Sequence, residues 1–149
     1  IFALDAIWQG LACVVNREQV DYLFGRVTFY PSLGIRARNL VIGFMRYVFP
    51  GREPLMAARQ PMMCGLSRRR SRHYFVGGTP KENYKILISH MRAMRRSVPP
   101  IISSDMRLTP SMQTFDMYRN DDLGGVAECG IMLTIADLYD DIKRRYFSC

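Results

Sequence analysis

The sequence has no uninterrupted apolar run long enough to cross a bilayer, and no basic opening segment leading into a signal-type apolar stretch. A soluble, cytoplasmic protein is therefore expected. It has no CxxC pair: Cys13, Cys64, Cys129 and Cys149 are far apart, and only His73 and His90 are present to join them. That spacing suggests neither a zinc site nor a disulfide scaffold, and reduced, mostly buried thiols are expected. Glycine and proline are few, 11 and 8 of 149 residues; with 23% charged and 11% aromatic residues this excludes a collagenous, low-complexity or disordered chain. There is no internal repeat, helix-turn-helix, zinc-finger or aromatic RNP-type pattern. Acidic residues are also short, 13 against 21 basic ones. The resulting +8 favours anionic partners: nucleic acid, acidic lipid, an acidic carrier protein or a phosphate-bearing cofactor.

What is present is 48% hydrophobic residues, enough for a single domain over residues 1–149 that buries about two-thirds of the unfolded surface. From Phe2 to Val15, the residues Leu4, Ile7, Trp8, Leu11 and Val15 recur at spacings of three and four, which predicts a helix with one buried face. Val20 to Phe29 (VDYLFGRVTF) is β-branched and aromatic with little alternation, which predicts an interior strand of an α/β sheet, covered on both faces. After Pro31 and Gly34, the spacing of Ala37, Leu40, Val41, Phe44 and Val48 predicts a second helix, stopped at Phe49-Pro50-Gly51.

Residues 50–78 have no clear period, contain Pro54, Pro61 and Gly77-Gly78, and carry the basic run Ser67 to Arg72; they read as a long surface connection. Thr79, Pro80 and Glu82 then form a capping box that opens a helix with Tyr84, Leu87, Ile88, Met91 and Met94 as its buried stripe, closed by Pro99-Pro100. Thr109-Pro110-Ser111 reads as a cap for a short helix to about Asp116, Asn120 to Gly125 as a turn, and Ile131 to Ile135 as a buried strand. Asp137, Asp140 and Asp141, followed by Lys143, Arg144 and Arg145, match the dipole of a final helix.

The segment IFALDAIWQGL, the strand VDYLFGRVTFYP, the helix ARNLVIGFMRYVFP and the later stretch from RRSVPPIISSDM through DDIKRRY together resemble acyltransferases of the GNAT superfamily. Within it they are similar to the hemolysin-like branch of amino-acid lipid N-acyltransferases, which make ornithine and glycine lipids. The resemblance implies an α/β fold, a GNAT-like mixed sheet flanked by helices, in which a pantetheine arm slots between two splayed strands. Residues from Asp21 to Phe29 would be the second of these strands, and the first helix would face the cofactor's phosphates with its N-terminus. The preceding strands and the glycine-rich loop are not in this sequence, so the N-terminal part of the family's pattern is expected to be missing, and the sheet edge this leaves predicts self-association.

The resemblance also implies acyl-CoA or an acyl carrier protein thioester as donor, an amino-acid amine as acceptor, no metal, and loose contact with the inner membrane surface. Tyr30, at the exit of the splayed strand, would protonate the departing thiolate, or simply pack over the sheet edge. Phe29 would flank the cofactor. Arg36 and Arg38 would pair with phosphates or form a solvated helix face, and Asn39 would bond the pantetheine arm. Glu128 would take the amine's proton, directly or through water, or serve structural hydrogen bonding. The basic run from Arg68 to Arg72 suits an acidic carrier protein, an anionic membrane or nucleic acid. The alternative function is a non-catalytic basic interaction module binding nucleic acid or anionic membrane, nucleic acid being set behind because no recognition motif accompanies the charge.

Overall fold

Apolar residues at helical spacing give the chain its first two helices. In the computed structural model, which describes residues 2–147 apart from 53 and 64, these are α1 (Phe2–Glu18) and α2 (Ile35–Val48). α1 buries Trp8, Ala12 and Val15, and α2 buries Ala37, Leu40, Val41, Phe44 and Met45. β1 (Tyr22–Phe29) lies between them. The capping box at Thr79 forms as its order predicts: the Thr79 hydroxyl accepts from the Glu82 amide at 3.2 Å, and the Glu82 carboxylate accepts from the Thr79 amide at 3.1 Å. It starts a helix that runs from Pro80 to Ala93. The basic run is itself helical, as α3 (Arg68–Tyr74), so the Pro80–Ala93 helix is α4. α3 has no apolar stripe to betray it. It is anchored by an Ser67 cap, whose hydroxyl accepts from Arg70, and by Ser71, buried against Gly43 of α2.

A further short helix, α5 (Pro100–Asp105), begins where the prolines were read only as a stop. Pro at the first helical position costs nothing, because its missing N–H would be unpaired there anyway. The short helix expected from Thr109 to about Asp116 does not form. The Thr109 hydroxyl accepts from the Ser111 amide as a cap would, but it donates to the Asp137 carbonyl at 2.9 Å, and 113–120 pairs as β2 (Gln113–Asn120). β3 (Val126–Thr134) is longer than expected and buried over eight of its nine residues. The final helix is also shorter than its charges suggested: α6 covers only Asp140–Ile142, and a π-type turn, Lys143–Phe147, packs on α1, where the Asn16 amide donates to the Phe147 carbonyl at 3.1 Å.

The three strands are antiparallel in the order β1-β3-β2 and are flanked by helices, so the α/β architecture stands. The expected interior position of 20–29 does not. β3 is the central strand, while among the described residues β1 pairs only with β3 and leaves Tyr22 and Phe24 exposed. Among the described residues this apolar run, with an exposed Arg26 in its middle, lies at the edge of the sheet and is buried only towards its end, at Val27 and Phe29. One face of the sheet, with Val27, Phe29, Met117, Cys129, Ile131 and Leu133, joins α2 and α4 in a single core. At its centre Phe44 is fully buried, with its ring edge-on to Phe49 at 5.9 Å and Phe75 at 5.2 Å. Cys129 is buried in that core as expected; Cys13 is exposed, and Cys64 and Cys149 lie outside the described residues.

Asp105, at the end of α5, has its carboxyl pushed up to about 7 by burial. The folded state therefore holds this proton more tightly than the unfolded chain, and the carboxyl weakens the fold increasingly as pH rises from the ordinary carboxylate range to about 7. Asp105→Asn is expected to leave the urea midpoint unchanged in mild acid and to raise it above neutrality, which a series of unfolding curves against pH would show.

Candidate functional site

Period-two alternation sends every second strand residue to the face of the sheet away from the core. The register there sets Arg26 opposite Gly130, and Thr28 and Tyr118 on either side of Glu128. Glu128 thus sits in mid-sheet, 0% exposed, and is closed over by its neighbours rather than by depth in the core. Its Oε1 accepts from the Thr28 hydroxyl at 3.0 Å, and its Oε2 accepts from Asn120 Nδ2 at 3.0 Å, from Arg26 at 3.3 Å and from the Tyr118 hydroxyl. Burial disfavours the charged carboxylate, but the bonds from Tyr118, Asn120 and Thr28 and the charge of Arg26 outweigh it and hold the group below the ordinary range. Arg26 is fixed more firmly in its charged form by Tyr118 and Glu128.

A cleft of about 460 Å³ opens beside this cluster, with Arg26, Tyr118 and Gly130 on its sheet wall. Its other wall is a strap from the 49–62 segment. The strap leaves the outer edge of β2 at Thr114, whose amide donates to the Phe49 carbonyl at 2.8 Å, and rejoins it where the Met62 amide donates to the Met117 carbonyl at 2.7 Å. Between these attachments β2 carries a bulge: the register steps from Thr114 opposite Ile131 to Met117 opposite Cys129, one residue more than β3 spends. The extra residue brings two consecutive side chains, Phe115 and Asp116, to the cleft. Asp116 Oδ2 accepts from the Ala58 amide at 3.2 Å and ties down the strap. Gly130 is bare because Met56 lies on it; a Cβ there would come within 2.8 Å of the Met56 methyl.

Of the residues singled out from sequence, Glu128 is the one in this cluster, and it meets the cleft through Arg26 and Tyr118. Phe29, Tyr30, Arg36, Arg38 and Asn39 do not line the cleft. The Phe29 side chain is buried in the core, which leaves only its backbone for a ligand, and Tyr30 is exposed just beyond the end of β1. Arg36, Arg38 and Asn39 lie in the first turns of α2. The Asn39 side-chain oxygen already accepts from the Gly65 amide at 3.3 Å, whereas Arg38 Nε is buried with no partner among the described residues. An orphaned guanidinium N–H at a helix start is suited to an anion. In the first turn of α1, Asp5 accepts from Tyr146 and Arg145 of the C-terminal turn, and these bonds, Tyr146's foremost, lower its pKa despite some desolvation.

Sequence reasoning missed Arg26, Thr28 and Tyr118, and it gave no role to Asp116 or Asn120 of the family-like stretch, of which Asn120 donates to Glu128 and Asp116 lines the cleft. Their signal is the strand alternation, and it becomes readable only once the register is known. Among the described residues no cluster of three or more His, Cys, Asp or Glu is placed to hold a metal, and no helix is long and apolar enough to cross a membrane.

No family model and no solved structure matches the chain. A glycine N(alpha)-acyltransferase of Bacteroides thetaiotaomicron is 35% identical over 147 residues, which is 98% of this chain and 44% of that protein. Another glycine N(alpha)-acyltransferase, of Phocaeicola vulgatus, is 31% identical over 147 residues, 98% of this chain and 45% of that protein. The chain spans less than half the length of these curated relatives, and along nearly all of its own length it is similar to a segment of glycine N(alpha)-acyltransferases.

Proposed function

We propose that the chain is part of a GNAT-type N-acyltransferase that moves a fatty acyl group from a thioester of coenzyme A or acyl carrier protein to the amine of an amino acid, glycine foremost, in lipid synthesis. The observation that carries this reading is the identity of about a third, over 98% of the chain, to two proteins of that name. The chemistry needs a neutral amine held beside the thioester carbonyl. The C–N bond forms as the C–S bond breaks, one amine proton goes to the thiolate, and the second proton of the original ammonium goes to a base. In this reading the Tyr118 hydroxyl, on the cleft wall, takes that proton as it gives its own to Glu128, and the carboxylate, whose lowered pKa makes it a transient acceptor, hands the proton on to water.

Tyr30, exposed beyond β1, is assigned to the thiolate. Arg38, with its unpartnered Nε, and Arg36 beside it are assigned to the donor's phosphates, with Asn39 and the Phe29 backbone along its arm. The exposed arginines of α3 are assigned to an acidic carrier or to the anionic inner face of the membrane, where a lipid product would leave.

The test is a segment exchange. The 147 residues of the Bacteroides relative that match this chain are replaced by it, and the chimera is incubated with acyl thioester and glycine. N-acylglycine detected by mass is the expected result. An inactive but folded chimera beside an active parent would overturn the proposal.

A further inference from the structure

Three arginines and one aspartate line the cleft, and two of the arginines are paired with carboxylates outside it. Arg26 is paired with Glu128 at 3.3 Å and Arg119 with Asp121 at 2.7 Å, and among the described residues neither Arg59 nor Asp116 takes part in an ion pair. One cation and one carboxylate are left over on the lining. They are neighbours through the strap, since Asp116 accepts from the amide of Ala58, the residue before Arg59. The bulge is what makes this possible, because it brings Asp116 to the cleft alongside Phe115 while β2 continues to Tyr118.

The geometry points to Asp116 and Arg59 as the seat of a zwitterionic amino acid, with Asp116 receiving the ammonium group and Arg59 the carboxylate. This rests on the acyltransferase reading and gives it an acceptor site. With Arg26 and Arg119 each held by a carboxylate outside the lining, one group of each sign is left without an ion-pair partner, and that favours a ligand that is itself a zwitterion over a phosphate, which would need surplus positive charge. Asp116 lines the cleft two residues along the strand from Tyr118, whose hydroxyl leads to Glu128. The apolar remainder of the cleft, Met56 and Phe115, leaves room for the first carbons of an acyl chain.

Calorimetric titration of the 149-residue chain with glycine, ethylamine and N-acetylglycine separates the two halves of the seat. Asp116→Asn keeps an oxygen for the Ala58 amide and removes only the charge. It is expected to weaken glycine and ethylamine about tenfold or more while N-acetylglycine is unchanged. Arg59→Gln, on the exposed strap, is expected to do the reverse: glycine and N-acetylglycine weaken and ethylamine is unchanged. Absence of glycine binding to the unaltered chain, or equal glycine affinity in Asp116→Asn, would overturn the inference. In the chimera, Asp116→Asn with normal turnover and an unchanged KM for glycine would overturn the seat and leave the acyltransferase standing. Glycine binding that follows the expected pattern, with no acyl product from any form, would uphold the seat and overturn the acyltransferase.

Discussion

Phe44→Ala is expected to lower stability by about 3–5 kcal/mol, read as a shift of the urea midpoint with little change in slope. Phe44 is fully buried, and its ring meets the edges of two other rings, Phe49 at 5.9 Å and Phe75 at 5.2 Å. Truncation removes the transfer free energy of the ring and leaves a void between helix α2, the segment after α3 and the start of the strap. These three are tied down separately, so the void has little freedom to collapse. A change of this size is a large part of the stability of an ordinary domain, about 5–15 kcal/mol, so the variant is also expected to unfold at a markedly lower temperature.

Glu128→Ala is expected to cost about 1–3 kcal/mol, because Tyr118, Asn120 and Thr28 lose their acceptor. The loss is bounded because the Arg26 guanidinium remains in water, with 61% of its side chain exposed. Glu128→Gln separates charge from hydrogen bonding and carries a pH signature. The folded state holds this carboxyl below the ordinary range, so the charge contributes stability above the unfolded chain's pKa and loses it as pH falls through the folded value. The stability gap between the native chain and Glu128→Gln should be full at neutral pH and close in acid. A gap that stays constant with pH would show that the carboxylate's charge does not support the fold.

Much of the scaffold was legible in the residues. The stripes of α1 and α2, the cap at Thr79 and the apolar centre of β3 declare themselves through local spacing, and each is stabilised by what that spacing buries. What was hidden depends on contacts distant in sequence. α3 is a helix of arginines held by one serine cap and one buried serine, too little apolar surface to show a period. Thr109-Pro110-Ser111 has cap chemistry, yet the hydroxyl turns to Asp137, 28 residues away, and the chain goes on as a strand. The site divides in the same way. Glu128 could be singled out as a carboxylate at a strand start, but its partners Thr28 and Arg26 lie about 100 residues away and are found only through register. Asp116 needed the bulge, which no pattern in FDMYRN announces.

The attachments of the strap have a consequence for how the sheet is able to grow. The outer rim of β2 is taken at Thr114 by Phe49 and Gly51 and at Met117 by Met62, with Pro61, which has no N–H to offer, lying against Tyr118. The rim of β1 from Tyr22 to Phe29 has no such cover among the described residues. Among the described residues the strap therefore makes the two rims unequal: the one left bare is the rim that carries Arg26 and Thr28 of the polar cluster.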